Sequence, residues 1–171
     1  MVIFINMEKL NNKFNFVWLS LGGNIGNVKQ NFDKALALIK DNKNIKLLKI
    51  SSLYKTKAWG KINQPDFLNI CVKISTNLLP ENLLNILLDI EQQIGRIRVE
   101  KWGERCIDID IVCWENDLSW NSPNLTLPHP HITERIFVLA PLMEISPELV
   151  VKGKNIKFWY NFCLGQKFTK L

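Results

Sequence analysis

No stretch of this 171-residue sequence stays apolar for the roughly 18 residues that would span a bilayer, since polar side chains interrupt every run of that length. A membrane span is excluded on that ground, and no membrane partner is expected. The opening Met1 to Ile5 is mildly apolar, but no basic stretch precedes it and Glu8, Lys9 and Lys13 follow closely, so it reads as a loose extension and not as an export signal. Cysteine is sparse. Cys71, Cys106, Cys113 and Cys163 form no CxxC pair and show no metal-finger spacing. Two of them, Cys71 and Cys113, lie in strand-like runs where a thiol packs as a small hydrophobe, so a reducing compartment, the cytoplasm, is expected. A glycine-rich phosphate loop is also missing: Gly22-Gly23-Asn24-x-Gly26 fits neither GxxxxGK[ST] nor GxGxxG. These glycines read as turn residues that set the entry to a helix, with no catalytic role. No internal repeat or low-complexity segment occurs.

What is present is ordinary globular composition, 47% hydrophobic and 22% charged, which argues against disorder. The length suits one core, with residues 1–15 as a loosely ordered extension and residues 16–171 as one domain. A net charge of +6 suits an acidic partner but is also common where only solubility is served. Position along the chain is more informative, because Arg96, Arg98, Lys101 and Arg105 fall just before a strand that carries two aspartates. Cations beside carboxylates point to a metal and phosphate site.

Phe16 to Leu21 reads as a buried strand, followed by a helix capped by Asn27 in which Phe32, Ala35, Leu36 and Ile39 recur at helical spacing. Short strands are expected over 45–50 and 52–56, then a polar loop over 57–66. Phe67 to Thr76 alternates, with Leu68, Ile70, Val72 and Ile74 on one face and Phe67, Asn69, Cys71 and Lys73 on the other. Pro80 opens a helix whose apolar stripe has one polar exception, Glu91, before Gly95 ends it. After the charged loop over 96–105 comes the clearest strand, Ile107 to Trp114, then a turn-like stretch over 117–124. Thr133 is expected to cap a short helix running through Leu139. The order β, α, β, β, α, β with a further helix implies an α+β, ferredoxin-like fold, an antiparallel sheet with helices packed on it. The last stretch, 153–171, leaves an added edge element open.

In Ile107-Asp108-Ile109-Asp110-Ile111 the strand period puts both carboxylates on one face, their Cα atoms roughly 6.5–7 Å apart. Aspartate is depleted in strands and like charges repel, so the pair calls for a cation, and hard oxygen ligands favour magnesium. A solvated face whose acids merely pair with arginines is the plainer alternative. Against it, Arg96, Arg98 and Arg105 place planar, permanently charged groups where a polyphosphate could lie. His129, fixed between Pro128 and Pro130, and Arg135 are within reach of the same anion. Trp102 in the charged loop and Phe67 beside Asn69 suit stacking and amide pairing with a flat heterocycle. An RNA-binding sheet is the competing class, but its KGFGFVxF-type run is missing and two acids on the face would repel phosphate. No nucleic-acid partner is expected.

These segments resemble the 6-hydroxymethyl-7,8-dihydropterin pyrophosphokinases of folate biosynthesis. The resemblance rests on GRIRVEKWGERCIDIDI and LPHPHITERIFVLAPL, supported by LGGNIGN, SSLYKT and QPDFLN in the same order. It implies a transferase that moves diphosphate from ATP to the pterin hydroxymethyl group. It further implies that Asp108 and Asp110 hold two magnesium ions and that Arg96, Arg105, His129 and Arg135 contact the polyphosphate, with Arg98 and Lys101 as loop cations. Glu91, Ile111, Leu125 and Thr126 look like adenosine-side positions. The pterin would lie between Phe67 or Trp102 and Phe137, read by Asn69, with Thr56 and Trp59 nearby. The loops over 57–66 and 96–105 are expected to act as lids, and association with a downstream folate enzyme is a further implication. The sequence departs from the family pattern at Ala58 and Glu104, where proline is common, and at Lys101, which keeps the charge of a frequent arginine but loses its fork.

Overall fold

The structure is a computed structural model and describes residues 13–58, 64–96 and 103–171. Its centre is a six-stranded sheet paired antiparallel throughout. The strands are β1 (Asn15–Gly23), β2 (Ile45–Ile50), β3 (Tyr54–Thr56), β4 (Phe67–Thr76) and β5 (Asp108–Trp114), with β10 (Phe168–Lys170) at the far edge. Two small hairpins, β6 (Trp120–Asn121) with β7 (Thr126–Leu127) and β8 (Val150–Val151) with β9 (Lys154–Asn155), lie outside it. β1 is central between β4 and β5, and the other edge of β4 pairs with β2 along one half and β3 along the other. This is the ferredoxin-like strand order that the β, α, β, β, α, β sequence implies.

Alternation decides which face each strand buries. Val17, Leu19 and Leu21 of β1, Ile70, Val72 and Ile74 of β4, and Ile109 and Ile111 of β5 meet two helices, α1 (Val28–Asp41) and α2 (Pro80–Ile94), in a first core. Both helices follow their sequence signals: the Asn27 side chain accepts a hydrogen bond from the Gln30 N–H, Pro80 stands at the first helical turn, and Gly95 closes α2 in the left-handed region at φ 100°. The opposite face is covered as well. Trp18, Cys71 and Cys113 pack there beneath α3 (Ile136–Ile145) and α4 (Ile156–Phe162) in a second core.

Several expectations need correction. Thr133 does not cap a helix: a 3-10 turn spans Ile132–Glu134, and α3 begins at Ile136 and runs to Ile145 with Arg135 in the cap position. Gly22 and Gly23 are the last residues of β1 and not a turn, paired with Asn69 and Leu68 of β4, and their lack of a side chain is used there: a Cβ on Gly22 would stand 3.0 Å from Asn69 Oδ1 and one on Gly23 would stand 2.8 Å from the Cys106 carbonyl oxygen. The stretch over 117–124 contains the first strand of a hairpin. The edge element left open near the C-terminus exists as β10 on β3. All four cysteines are free thiols.

Candidate active site

The second face of the sheet is polar at one end. Strand register places Tyr54, Asn69, Gly22 and Asp108 in one row across β3, β4, β1 and β5, and Cys71, Ser20 and Asp110 in the next. Residues in register share a face, so the two aspartates expected side by side do lie together, in line with Asn69. Asn69 is 2% exposed and donates its amide hydrogen to Thr56 Oγ1 at 3.1 Å. The missing side chain at Gly22 leaves room for its carbonyl oxygen.

Asp108 is held from two sides. Arg96 Nη1 reaches its Oδ1 at 2.6 Å, and Arg105 Nη1 pairs with Oδ2. The same Arg96 nitrogen also pairs with Glu91, whose other oxygen accepts the main-chain N–H of Ile109 on the outer edge of β5. Glu91 is therefore 2% exposed yet fully engaged. Burial and the nearby Asp108 raise its pKa, against the pull of Arg96. Burial disfavours the Arg96 cation, but Asp108 and Glu91 outweigh it and hold its pKa above the ordinary value. Asp110 is pushed up to about 7 by burial and then by the Asp108 carboxylate, with Arg135 the main opposing charge. At Asp110, burial and the neighbouring carboxylates thus outweigh the arginines close by.

His129 donates its main-chain N–H to the Val112 carbonyl at 2.9 Å, and its Nδ1 accepts the N–H of His131 at 3.1 Å. An Nδ1 that accepts is unprotonated, so the neutral ring carries its proton on Nε2 and can offer it to an anion. Burial, Arg135 and His131 lower this imidazole to about 4. The Arg135 guanidinium lies 5.6 Å from the centre of the Phe137 ring, and that of Arg105 lies 5.7 Å from the Phe67 ring. Phe67 and Phe137, two of the aromatics expected to face a heterocycle, thus each carry a cation expected to face phosphate. Ile111 and Leu125 are buried in the first core, and Thr126 is exposed on the β6–β7 hairpin, where its hydroxyl bonds Asn121. Arg98, Lys101, Trp59 and Trp102 lie outside the described residues, as does the middle of each expected lid.

One site-building residue escaped the sequence reading. Asn24 is 8% exposed: its Oδ1 accepts the N–H of Arg105 at 2.9 Å, and its own N–H donates to the Arg105 carbonyl at 3.0 Å. Its amide nitrogen donates to Gln64 Oε1 at 3.2 Å and to the Pro65 carbonyl at 3.3 Å. Asn24 therefore ties the segment carrying Arg105 to the segment leading into Phe67. Only its place in the Gly22-Gly23-Asn24 run marked it, and that run was read as a turn.

Comparison with known proteins meets this geometry. Residues 18–147 match the family model for 7,8-dihydro-6-hydroxymethylpterin-pyrophosphokinase. The chain belongs to that family. It is accordingly a pyrophosphokinase of folate biosynthesis, transferring diphosphate from ATP to 6-hydroxymethyl-7,8-dihydropterin. A 2-amino-4-hydroxy-6-hydroxymethyldihydropteridine pyrophosphokinase of Synechocystis is 44% identical over 140 residues, covering 81% of this chain and 71% of the relative. That of Haemophilus influenzae is 39% identical over 139 residues, covering 81% and 86%. Among solved structures, wild-type Plasmodium falciparum HPPK-DHPS superposes with a TM-score of 0.72 at 18% identity, covering 91% of this chain and 45% of that one. The chain spans about half the length of such structures, and at that identity the likeness speaks for the fold alone.

Proposed function

We propose that Asp108 and Asp110 hold two magnesium ions against the ATP polyphosphate, while Asn69, Phe67 and Phe137 hold the pterin. The row Asn69–Gly22–Asp108 carries this reading. Two strand spacings separate its ends by about 10 Å. A ring read by the Asn69 amide therefore extends its hydroxymethyl arm over side-chain-free Gly22 towards phosphate gathered at Asp108.

The donor set fits magnesium. Two carboxylates on one face are hard oxygen ligands, and the Asp108 charge that joins burial in raising Asp110 is one a bound cation would offset. Arginines on both oxygens of Asp108 do not exhaust it, since an ionised carboxylate has about four lone-pair positions. When bound, magnesium would neutralise phosphate oxygens and favour ionisation of the attacking hydroxyl. Arg96, Arg105, Arg135 and the Nε2–H of His129 would bind and align the triphosphate, with Arg98 and Lys101 as further cations. Glu91 and Ile111, with Leu125 and Thr126 on or next to the β6–β7 hairpin, would line the adenosine side, and Thr56, Trp59 and Trp102 would complete the pterin side. The pterin oxygen forms a bond to the β-phosphorus as the bond to the α-phosphate bridging oxygen breaks, AMP departs, and the hydroxyl proton leaves to solvent. Positioning and charge stabilisation supply most of the acceleration.

Replacing Asp110 by Ala tests this. Magnesium-dependent AMP formation should fall at least about a hundredfold with the fold intact, the scale seen when a preorganised electrostatic contact is lost; retained turnover would remove the metal assignment. We further propose that the chain works in the cytoplasm and associates with a later folate enzyme. Among the described residues no helix is long and apolar enough to cross a membrane, and the fused composition of HPPK-DHPS supports the association. Co-elution of the two purified enzymes on a sizing column is the check.

A further inference from the structure

The N-terminus of α3 lacks a side-chain cap of its own. Its cap residue is Arg135, at φ −114° and ψ 99°, and a helix start leaves main-chain N–H groups in need of acceptors. One of them is satisfied from far along the chain. Gln166 Oε1 accepts the N–H of Ile136 at 3.2 Å, and the same amide donates through Nε2 to the carbonyl of Glu134 at 2.7 Å. One side chain thus grips the main chain on both sides of Arg135. A third contact adjoins them, from Cys163 Sγ to the Thr133 carbonyl at 3.4 Å, and Gln166 is itself braced by its main-chain N–H to the Cys163 carbonyl at 2.9 Å. Beyond Gln166 the chain enters β10, where Phe168 pairs with Thr56, the partner of Asn69. Leu171 then donates to the Leu53 carbonyl at 2.8 Å, and Lys170 meets Glu144 of α3 at 3.4 Å.

We propose that Gln166 is a positioning residue for Arg135, acting across the fold to fix the main chain from which that guanidinium reaches the phosphates. The proposal rests on the assignment of Arg135 to the polyphosphate. The Gln166 amide offers from one position both the acceptor that the Ile136 N–H needs and the donor that the Glu134 carbonyl needs. Fixing the residues on both sides of Arg135 sets the direction of its Cα–Cβ bond and limits the volume its long side chain explores. Releasing them makes ATP binding bear the ordering of a flexible arginine, an effect of about three- to tenfold in affinity.

The test is a double-mutant cycle of Gln166→Ala and Arg135→Ala, read in two ways: steady-state AMP formation, and calorimetric binding of α,β-methylene-ATP, which needs no turnover. Gln166→Ala should weaken analogue binding and lower kcat/KM for ATP by about three- to tenfold, leaving the KM for the pterin unchanged. In the Arg135→Ala background it should have no further effect. Gln166→Glu keeps the acceptor for Ile136 while losing the donor to Glu134, so it should fall between the two and serves where the alanine variant fails to fold. Effects of the two substitutions that simply multiply would overturn the positioning role, as would an unaltered ATP affinity in folded Gln166→Ala. Unaltered turnover and binding in Arg135→Ala would instead overturn the phosphate assignment of Arg135, and this proposal with it.

Discussion

Removing Glu91 should loosen the scaffold and the site in one step. Its carboxylate is 2% exposed and divided between the Ile109 N–H and Arg96. In Glu91→Ala the Ile109 N–H, on the outer edge of β5, loses its acceptor, a loss of about 1–3 kcal/mol for a buried donor. Arg96 loses one of two carboxylates but keeps Asp108, so its share is smaller, about 1 kcal/mol. Against these stands the relief of a buried charge, whose raised pKa shows that ionisation at this position is unfavourable. The net should be a loss of about 2 kcal/mol, or about 4–8 °C in Tm for a chain of this size. Glu91→Gln keeps an acceptor for Ile109 and turns an amide towards Arg96, so it should lose about half as much. Calorimetric melts at pH 7 measure both, and AMP formation should fall in each because Arg96 is freed from its brace. A folded Glu91→Ala protein within about 1 °C of the parent Tm would show that Ile109 and Arg96 find other partners, and the reasoning would fail.

Other consequences are equally concrete. His129 has a folded pKa of about 4, below its usual value of about 6.5, so the unfolded chain binds more protons between these values and stability must fall as pH drops through that window. Urea melts at pH 6.5 and pH 4.5 should show a smaller acid loss in His129→Gln than in the parent, by about 1–3 kcal/mol. Asn24→Ala should uncouple the Arg105 segment from Gln64 and Pro65, lowering kcat/KM for both substrates with a loss of about 1–3 kcal/mol in a urea melt. Lys152 stands at φ 50° next to Gly153 at φ 71° in the β8–β9 turn, a conformation that suits Asn better than Lys. Lys152→Asn should therefore raise Tm by about 1–3 °C unless its contact with the Pro130 carbonyl, at 2.9 Å, is worth as much.

Where the physics is local, the sequence was legible. β4 runs over Phe67–Thr76 as its alternation requires, α2 starts at Pro80 and stops before Gly95, and Asp108 and Asp110 share a face because the strand period leaves no other choice. Where a distant segment decides, local signals misled. Thr133 has the chemistry of a cap, but the cap position went to Arg135 because the amide of Gln166 satisfies Ile136 from outside. Gly22 and Gly23 have the chemistry of a turn, but they extend β1 because they pair with Asn69 and Leu68 of β4, where Asn69 and Cys106 come too close for a side chain. The register shift between β1 and β5 at Trp18 and Leu19, which gives β5 a bulge at Val112, has no mark in either strand's pattern. Asn24 is equally silent, since its four contacts all reach segments far away in sequence.

The charge count at the site bears on the proposed ions independently of any single distance. Glu91, Asp108 and Asp110 stand against Arg96, Arg105 and Arg135, so the described cluster is near balance before a nucleotide arrives. A triphosphate brings a terminal group of about −1.5 to −2 near neutral pH, with further charge on the inner phosphates. Arg98 and Lys101 can offset only part of that. An arginine that turns fully from Asp108 to phosphate leaves a carboxylate unpaired, so rearranging the protein's own cations moves the deficit without removing it. In the proposed function, positive charge accordingly arrives with the nucleotide. Divalent ions held by Asp108 and Asp110, as proposed, would be one such source and would let Arg96 and Arg105 serve two anions at once.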